Sequence, residues 1–118
     1  MTPQIRRAKG FVAIEQFEAP SCNLATITLT PEFEANGKWK QNIRSDMLVQ
    51  LISGRAMIQT ELHPRKDAIS FCRNREKTFF IPKGVMYRWI VKSKKGVTFY
   101  AFSTPAWTPD QHKEIERT

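Results

Sequence analysis

The sequence predicts an all-β fold, a sandwich or a small barrel. Three observations carry that reading. Short runs alternate apolar and polar residues, and β-branched and aromatic side chains concentrate in them. Turn signals separate the runs, at Asn36-Gly37, Ser53-Gly54, Pro82-Lys83-Gly84 and Lys94-Lys95-Gly96. A helix signal occurs only near the C-terminal end. The 118 residues suffice for one domain, taken as residues 1–118, and are too few for two ordinary ones.

Taken in order, residues 1–20 form a mixed N-terminal strand segment. Ile5, Phe11, Val12 and Ile14 suit a short pairing strand, Glu15 to Glu18 make a polar exit, and Pro20-Ser21 is a break. Residues 23–30 alternate well, with Ala25, Ile27 and Leu29 on one face and Leu24, Thr26 and Thr28 on the other. Residues 31–44 are polar and read as loop. Residues 47–52 form a strand that Ser53-Gly54 turns. Residues 55–62 then alternate again, so a hairpin is the economical reading. His63 to Asp67 is a loop, residues 68–72 a short strand, and residues 73–77 a charged turn.

Residues 79–91 organise the chain as strand, tight turn, strand. Pro82 fixes its own φ and Gly84 accepts a positive one, so Pro-Lys-Gly reads as a β-turn. Beyond it, Tyr87, Trp89 and Val91 share one face, while Arg88 and Ile90 share the other. Lys92 to Gly96 is a turn, and residues 97–102 form a last strand. A short C-terminal helix is predicted over roughly residues 109–117. Thr108 is its N-cap, Pro109 its first residue, and Gln111 completes a capping box. At about two turns it is marginal alone and must pack, through Ile115 and Trp107.

Net charge is +8, which attracts anionic partners. The basic residues are dispersed through expected turns, and a solvated rim is their plain reading. Arg65, Lys66, Lys92, Lys94 and Lys95 are the candidates for an accessory contact to nucleic acid or an acidic protein. Aromatic residues interleave poorly with these turns, so base stacking lacks support. No apolar run approaches the ~18 residues of a membrane span, and no signal-peptide core is evident. The expectation is a cytoplasmic protein, or a domain cut from a longer one, with no membrane partner. Cys22 and Cys72 are far apart and read as free thiols.

The order of these strands resembles the cupin superfamily over residues 24–102. That family carries G-x5-H-x-H-x(3,4)-E-x6-G, then G-x5-P-x-G-x2-H-x3-N. Gly54 matches the closing Gly of the first pattern; Pro82 and Gly84 match the Pro and Gly of the second. The resemblance implies a small jelly-roll β-barrel. It also shows what is missing. The metal-binding Glu position falls on Met47, with Asp46 beside it. The His-x-His region falls within Lys40, Gln41, Asn42 and Ile43, and the second-pattern His on Tyr87. The histidines present are His63 and His112. No metal and no cofactor are expected. The barrel is expected to be packed by Tyr87, Trp89 and other large side chains. Its degenerate pocket would comprise Trp39, Gln41, Asp46, Met47, Tyr87 and Trp89.

The strings from Gln41 to Gly54 and from Phe79 to Ile90 are similar to a narrower family, the C-terminal cupin of centromere protein C. Tyr87 sits where that family has its Tyr, while Val85 departs from its Asn. This resemblance implies a non-enzymatic homodimerisation and protein-recruitment module at centromeric chromatin in the nucleus, with kinetochore or chaperone partners. Outward apolar residues Met57, Ile90, Tyr100 and Phe102 are the interface candidates. The alternative is a metal-free cupin that binds a small molecule or isomerises a sugar-like metabolite. Trp39, Gln41, Tyr87 and Trp89 would then line the pocket, with Lys40 or Arg88 reading an anionic ligand.

Overall fold

The computed structural model describes residues 5–61, 69–70, 78–106 and 112–115. Their regular structure is all strand, as expected. In chain order the strands are β1 (Ile5–Ala8), β2 (Phe11–Ala19), β3 (Cys22–Leu29), β4 (Trp39–Asn42), β5 (Asp46–Gly54), β6 (Met57–Thr60), β7 (Ile69–Ser70), β8 (Thr78–Ile81), β9 (Met86–Ile90), β10 (Val97–Thr104) and β11 (His112–Ile115). A six-stranded sheet runs β1-β2-β3-β10-β5-β8, and a five-stranded sheet runs β11-β4-β9-β6-β7. Their pairings are antiparallel.

Alternation explains the core. In β5, Met47, Val49 and Leu51 are buried, while Leu48, Gln50 and Ile52 face out. In β10, Val97, Phe99 and Ala101 are buried, while Tyr100 and Phe102 face out. These inward residues meet Ile58, Tyr87 and Trp89 of the other sheet. Trp89 and Phe99 stack across the gap with ring centroids 4.3 Å apart, joining the sheets at the centre.

Two expected turns move the chain between sheets. Gly54 does turn the chain, but β5 and β6 do not pair; they belong to different sheets. The expected hairpin is therefore a crossing. Gly54 permits it with φ 88, and a Cβ there would run into the carbonyl oxygen of Gly96. Pro82-Lys83-Gly84 is the second crossing, from β8 to β9. Its turn closes with the Val85 amide donating to the Pro82 carbonyl at 3.2 Å. The N-terminal segment, by contrast, forms a true hairpin of β1 and β2.

The C-terminal helix is corrected over His112–Ile115. Those residues form β11 and pair with β4 along its full length. The capping signals were local and weak, and a helix of about two turns is marginal. The open edge of β4 offered unpaired backbone groups instead. Trp107 and Thr108 to Gln111 lie outside the described residues, as do His63, Arg65, Lys66, Phe71 and Cys72. Cys22 is a free thiol.

Candidate functional site

The site is built where β4 pairs with β9. β4 was expected to be loop because its inward positions are polar. Lys40 and Asn42 are buried at 6% and 2% exposure, while Trp39 and Gln41 are only half-buried. β9 alternates in the same sense and buries Tyr87 and Trp89. Lys40 lies directly opposite Tyr87 in the ladder. The register continues this row to Thr60 of β6 on one side and to Glu114 of β11 on the other. His112 holds the register position beside Asn42.

The interior is not filled, which corrects the expected packed barrel. A cavity of about 180 Å³ lies between the sheets. Its far wall is the reason: Ala25 and Ala101 are register partners on β3 and β10, and both line the space. Two adjacent small side chains leave room that large ones would close. Lys40, Asn42, Tyr87, Asn23 and Ser103 supply polar lining, and Arg6 joins them from β1. Trp89 stacked on Phe99, and Phe11 stacked on Phe33 at 5.0 Å, supply aromatic walls.

Burial pushes the Tyr87 phenol up to about 12, while a side-chain hydrogen bond with Asn42 pulls the other way. The phenol therefore keeps its proton at neutral pH. The Lys40 Nζ sits 4.9 Å from the centroid of the Phe33 ring, a favourable cation–π placement. Burial lowers the Arg6 pKa, and Glu15 opposes that shift. The guanidinium stays charged regardless. A chamber with a fixed cation, a protonated phenol and carboxamides can hold a polar ligand, steady developing negative charge and donate a proton.

Of the expected pocket residues, Met47, Tyr87 and Trp89 line the cavity; Trp39, Gln41 and Asp46 do not. The Trp39 ring lies under the Arg88 guanidinium at 4.9 Å, and Arg88 Nε donates to Gln59 Oε1 at 2.7 Å. Arg88 is thus committed on the opposite face from Tyr87. Gln41 Nε2 donates to the Gly84 carbonyl at 2.6 Å. Asp46 Oδ1 accepts from the Lys83 amide at 2.9 Å, tying the start of β5 to the crossing turn. Lys92, Lys94 and Lys95 are exposed or at the edge of the β9–β10 turn and do not line the cavity. The polar pocket residues that sequence reasoning missed are Arg6, Asn23, Asn42 and Ser103. For Asn42 a signal existed, since the i, i+2 spacing of His-x-His places Lys40 and Asn42 on one face.

The resemblance to cupins implies a divalent metal at the motif positions. Lys40, Asn42, Met47 and Tyr87 do converge on one chamber, as the motif spacing requires. Their chemistry does not fit. An ammonium has no lone pair to give, a thioether and a neutral phenol are poor ligands for a hard cation, and the single carboxamide oxygen of Asn42 cannot hold one alone. Among the described residues no group of three His, Cys, Asp or Glu side chains could hold a metal ion.

No protein-family model matches the sequence, and no curated protein matches it. Solved structures do share its fold. Pac13 of Streptomyces, described as a nucleoside dehydratase, superposes with a TM-score of 0.71 at 11% identity. The match covers 97% of this chain and 85% of that one, and variants of that protein were solved with uridine. KdgF from Halomonas sp. gives 0.67 at 12% identity, covering 91% of each chain. Oxalate decarboxylase from Bacillus subtilis gives 0.69 at 15% identity, covering 96% of this chain and 30% of that one. These likenesses establish the cupin fold for this chain. They also correct the expectation of a non-enzymatic centromeric recruitment module, since proteins sharing the fold include a nucleoside dehydratase and a decarboxylase.

Proposed function

We propose that this chain is a small-molecule cupin that binds a polar metabolite between its sheets and acts on it by proton transfer. One observation carries the reading. The positions that form the metal site in cupin enzymes converge here on a cavity, and they carry Lys40, Asn42 and Tyr87 in place of metal ligands. Lys40 would bind an anionic or strongly polar group, and its charge would steady an oxyanion or enolate as it forms. Tyr87, protonated at neutral pH, would donate to that oxygen or to a leaving group. Asn23, Asn42 and Ser103 would orient the molecule through hydrogen bonds. Isomerisation and elimination are the reaction classes this set serves. The aromatic walls suit a planar ring, which favours a nucleoside or a cyclic sugar acid.

Calorimetry and thermal melts against uridine, other nucleosides, sugar acids and small dicarboxylates test this directly. A raised melting temperature that Lys40→Met abolishes is the expected result. No binding across these classes overturns the reading.

A further inference from the structure

The outer face of the six-stranded sheet carries a second pattern. Register partners on neighbouring strands share a face. Phe17 pairs with Leu24, Leu24 with Phe102, Phe102 with Leu48, and Leu48 with Phe80. One row therefore crosses β2, β3, β10, β5 and β8 and reads Phe-Leu-Phe-Leu-Phe. Phe17, Phe102, Leu48 and Phe80 are 51%, 37%, 42% and 58% exposed. The neighbouring row, Ile14, Thr26, Tyr100, Gln50 and Thr78, is also uncharged. In a chain of net charge +8 with 25% charged residues, these two rows carry no charge, and Arg7 and Asp46 lie only at the margins of the face.

We propose that a second copy of the chain packs here, sheet against sheet, about a two-fold axis through Phe102. The row reads the same from either end. An axis along β10 sets Phe17 of one copy against Phe80 of the other, Leu24 against Leu48, and Phe102 against itself. A two-fold interface requires that kind of self-complementarity. Charge argues for the same surface. Two copies of net charge +8 repel each other, and a face with an uncharged centre lets them approach at least cost. Aromatic enrichment with charge depletion is the composition of an interface core. The size also suffices. Strands of eight or nine residues give β3, β5 and β10 a length of ~27 Å. Six strands are ~24 Å across. The flat face is thus ~650 Å², and side-chain relief brings it near the ~800 Å² per partner of a standard interface.

This placement separates the four interface candidates. Tyr100 and Phe102 belong to the face, while Met57 and Ile90 are register partners on β6 and β9 of the other sheet.

Sedimentation of the full chain through the micromolar range tests the proposal, with circular dichroism and thermal melts to confirm that each variant is folded. The wild type is expected to dimerise. Phe102→Lys brings two lysines together at the axis. Phe80→Glu, on the edge strand and more exposed, serves even if Phe102→Lys misfolds. Each is expected to weaken association by at least ~30-fold. Met57→Lys, on the other sheet, is expected to leave it unchanged. A wild type that stays monomeric, a dimer that survives Phe80→Glu, or one that Met57→Lys dissociates would each overturn the proposal.

Discussion

Lys40 and Tyr87 stand directly opposite each other in the β4–β9 ladder, and both line the cavity. They are 6% and 5% exposed, so both side chains are buried in the wall. A charge and a proton donor thus share one row at the wall of an apolar chamber. Burying a charge is costly unless something answers it, and the Phe33 ring does so in part, its centroid 4.9 Å from the Lys40 Nζ.

Replacing Tyr87 with Phe removes the phenol and keeps the ring. We expect turnover or ligand affinity to fall by about 100-fold, in the range for loss of a general acid. The fold should survive, with a melting temperature within a few degrees of wild type. Parallel calorimetry and thermal melts check both halves.

The same residue sets an alkaline limit on stability. The folded phenol titrates at about 12, above the ordinary 10. Between those values the unfolded chain releases this proton and the folded chain holds it. Unfolding is therefore favoured as pH rises through that window, and the contribution is intact below pH 10. It amounts to about 2–3 kcal/mol at most. Tyr87→Phe should flatten this part of the stability–pH curve, measured by denaturant unfolding from pH 9 upward.

Lys40→Met should separate binding from stability. Affinity for an anionic ligand is expected to drop at least tenfold in calorimetry, in a variant that thermal melts show to be folded. A large loss of stability would instead make Lys40 a structural residue.

The Trp89–Phe99 stack joins the two sheets, so truncating either ring should be costly. Phe99→Ala and Trp89→Ala are each expected to lose about 3–5 kcal/mol in urea unfolding. A double-mutant cycle should show coupling of about 0.5–1.5 kcal/mol.

Gly54 and Gly84 both adopt positive φ, yet they should tolerate Ala differently. A Cβ at Gly84 meets nothing nearby, whereas one at Gly54 meets the Gly96 backbone. Gly84→Ala should cost about 1 kcal/mol, from conformation alone. Gly54→Ala should cost at least about twice that, because the crossing between sheets must shift as well. Chemical denaturation of the pair checks the ratio.

Much of the fold was legible because several strands obey a simple alternation. β5, β10 and, beyond Asn23, β3 put small or apolar residues inward, so periodicity marks their faces. β4 was illegible for the opposite reason: its inward residues are Lys40 and Asn42, which read as loop. β11 was misread because a capping box is a local signal, and the open edge of β4 is not visible in sequence. Periodicity also names a face without naming a sheet, so the crossings at Gly54 and Gly84 passed for ordinary turns. Motif spacing located Met47 and Tyr87 within the site. Arg6 and Ser103 reach it only through register, from strands at opposite ends of the chain.

The placement of β10 between β3 and β5 has a consequence for synthesis. Neither neighbour can complete its ladder until residues 97–104 have left the ribosome. The nascent chain therefore carries two unpaired strand edges through most of its translation, and its central sheet closes only near the end. A chain released before residue 97 should expose those edges permanently and be found in aggregates rather than in solution.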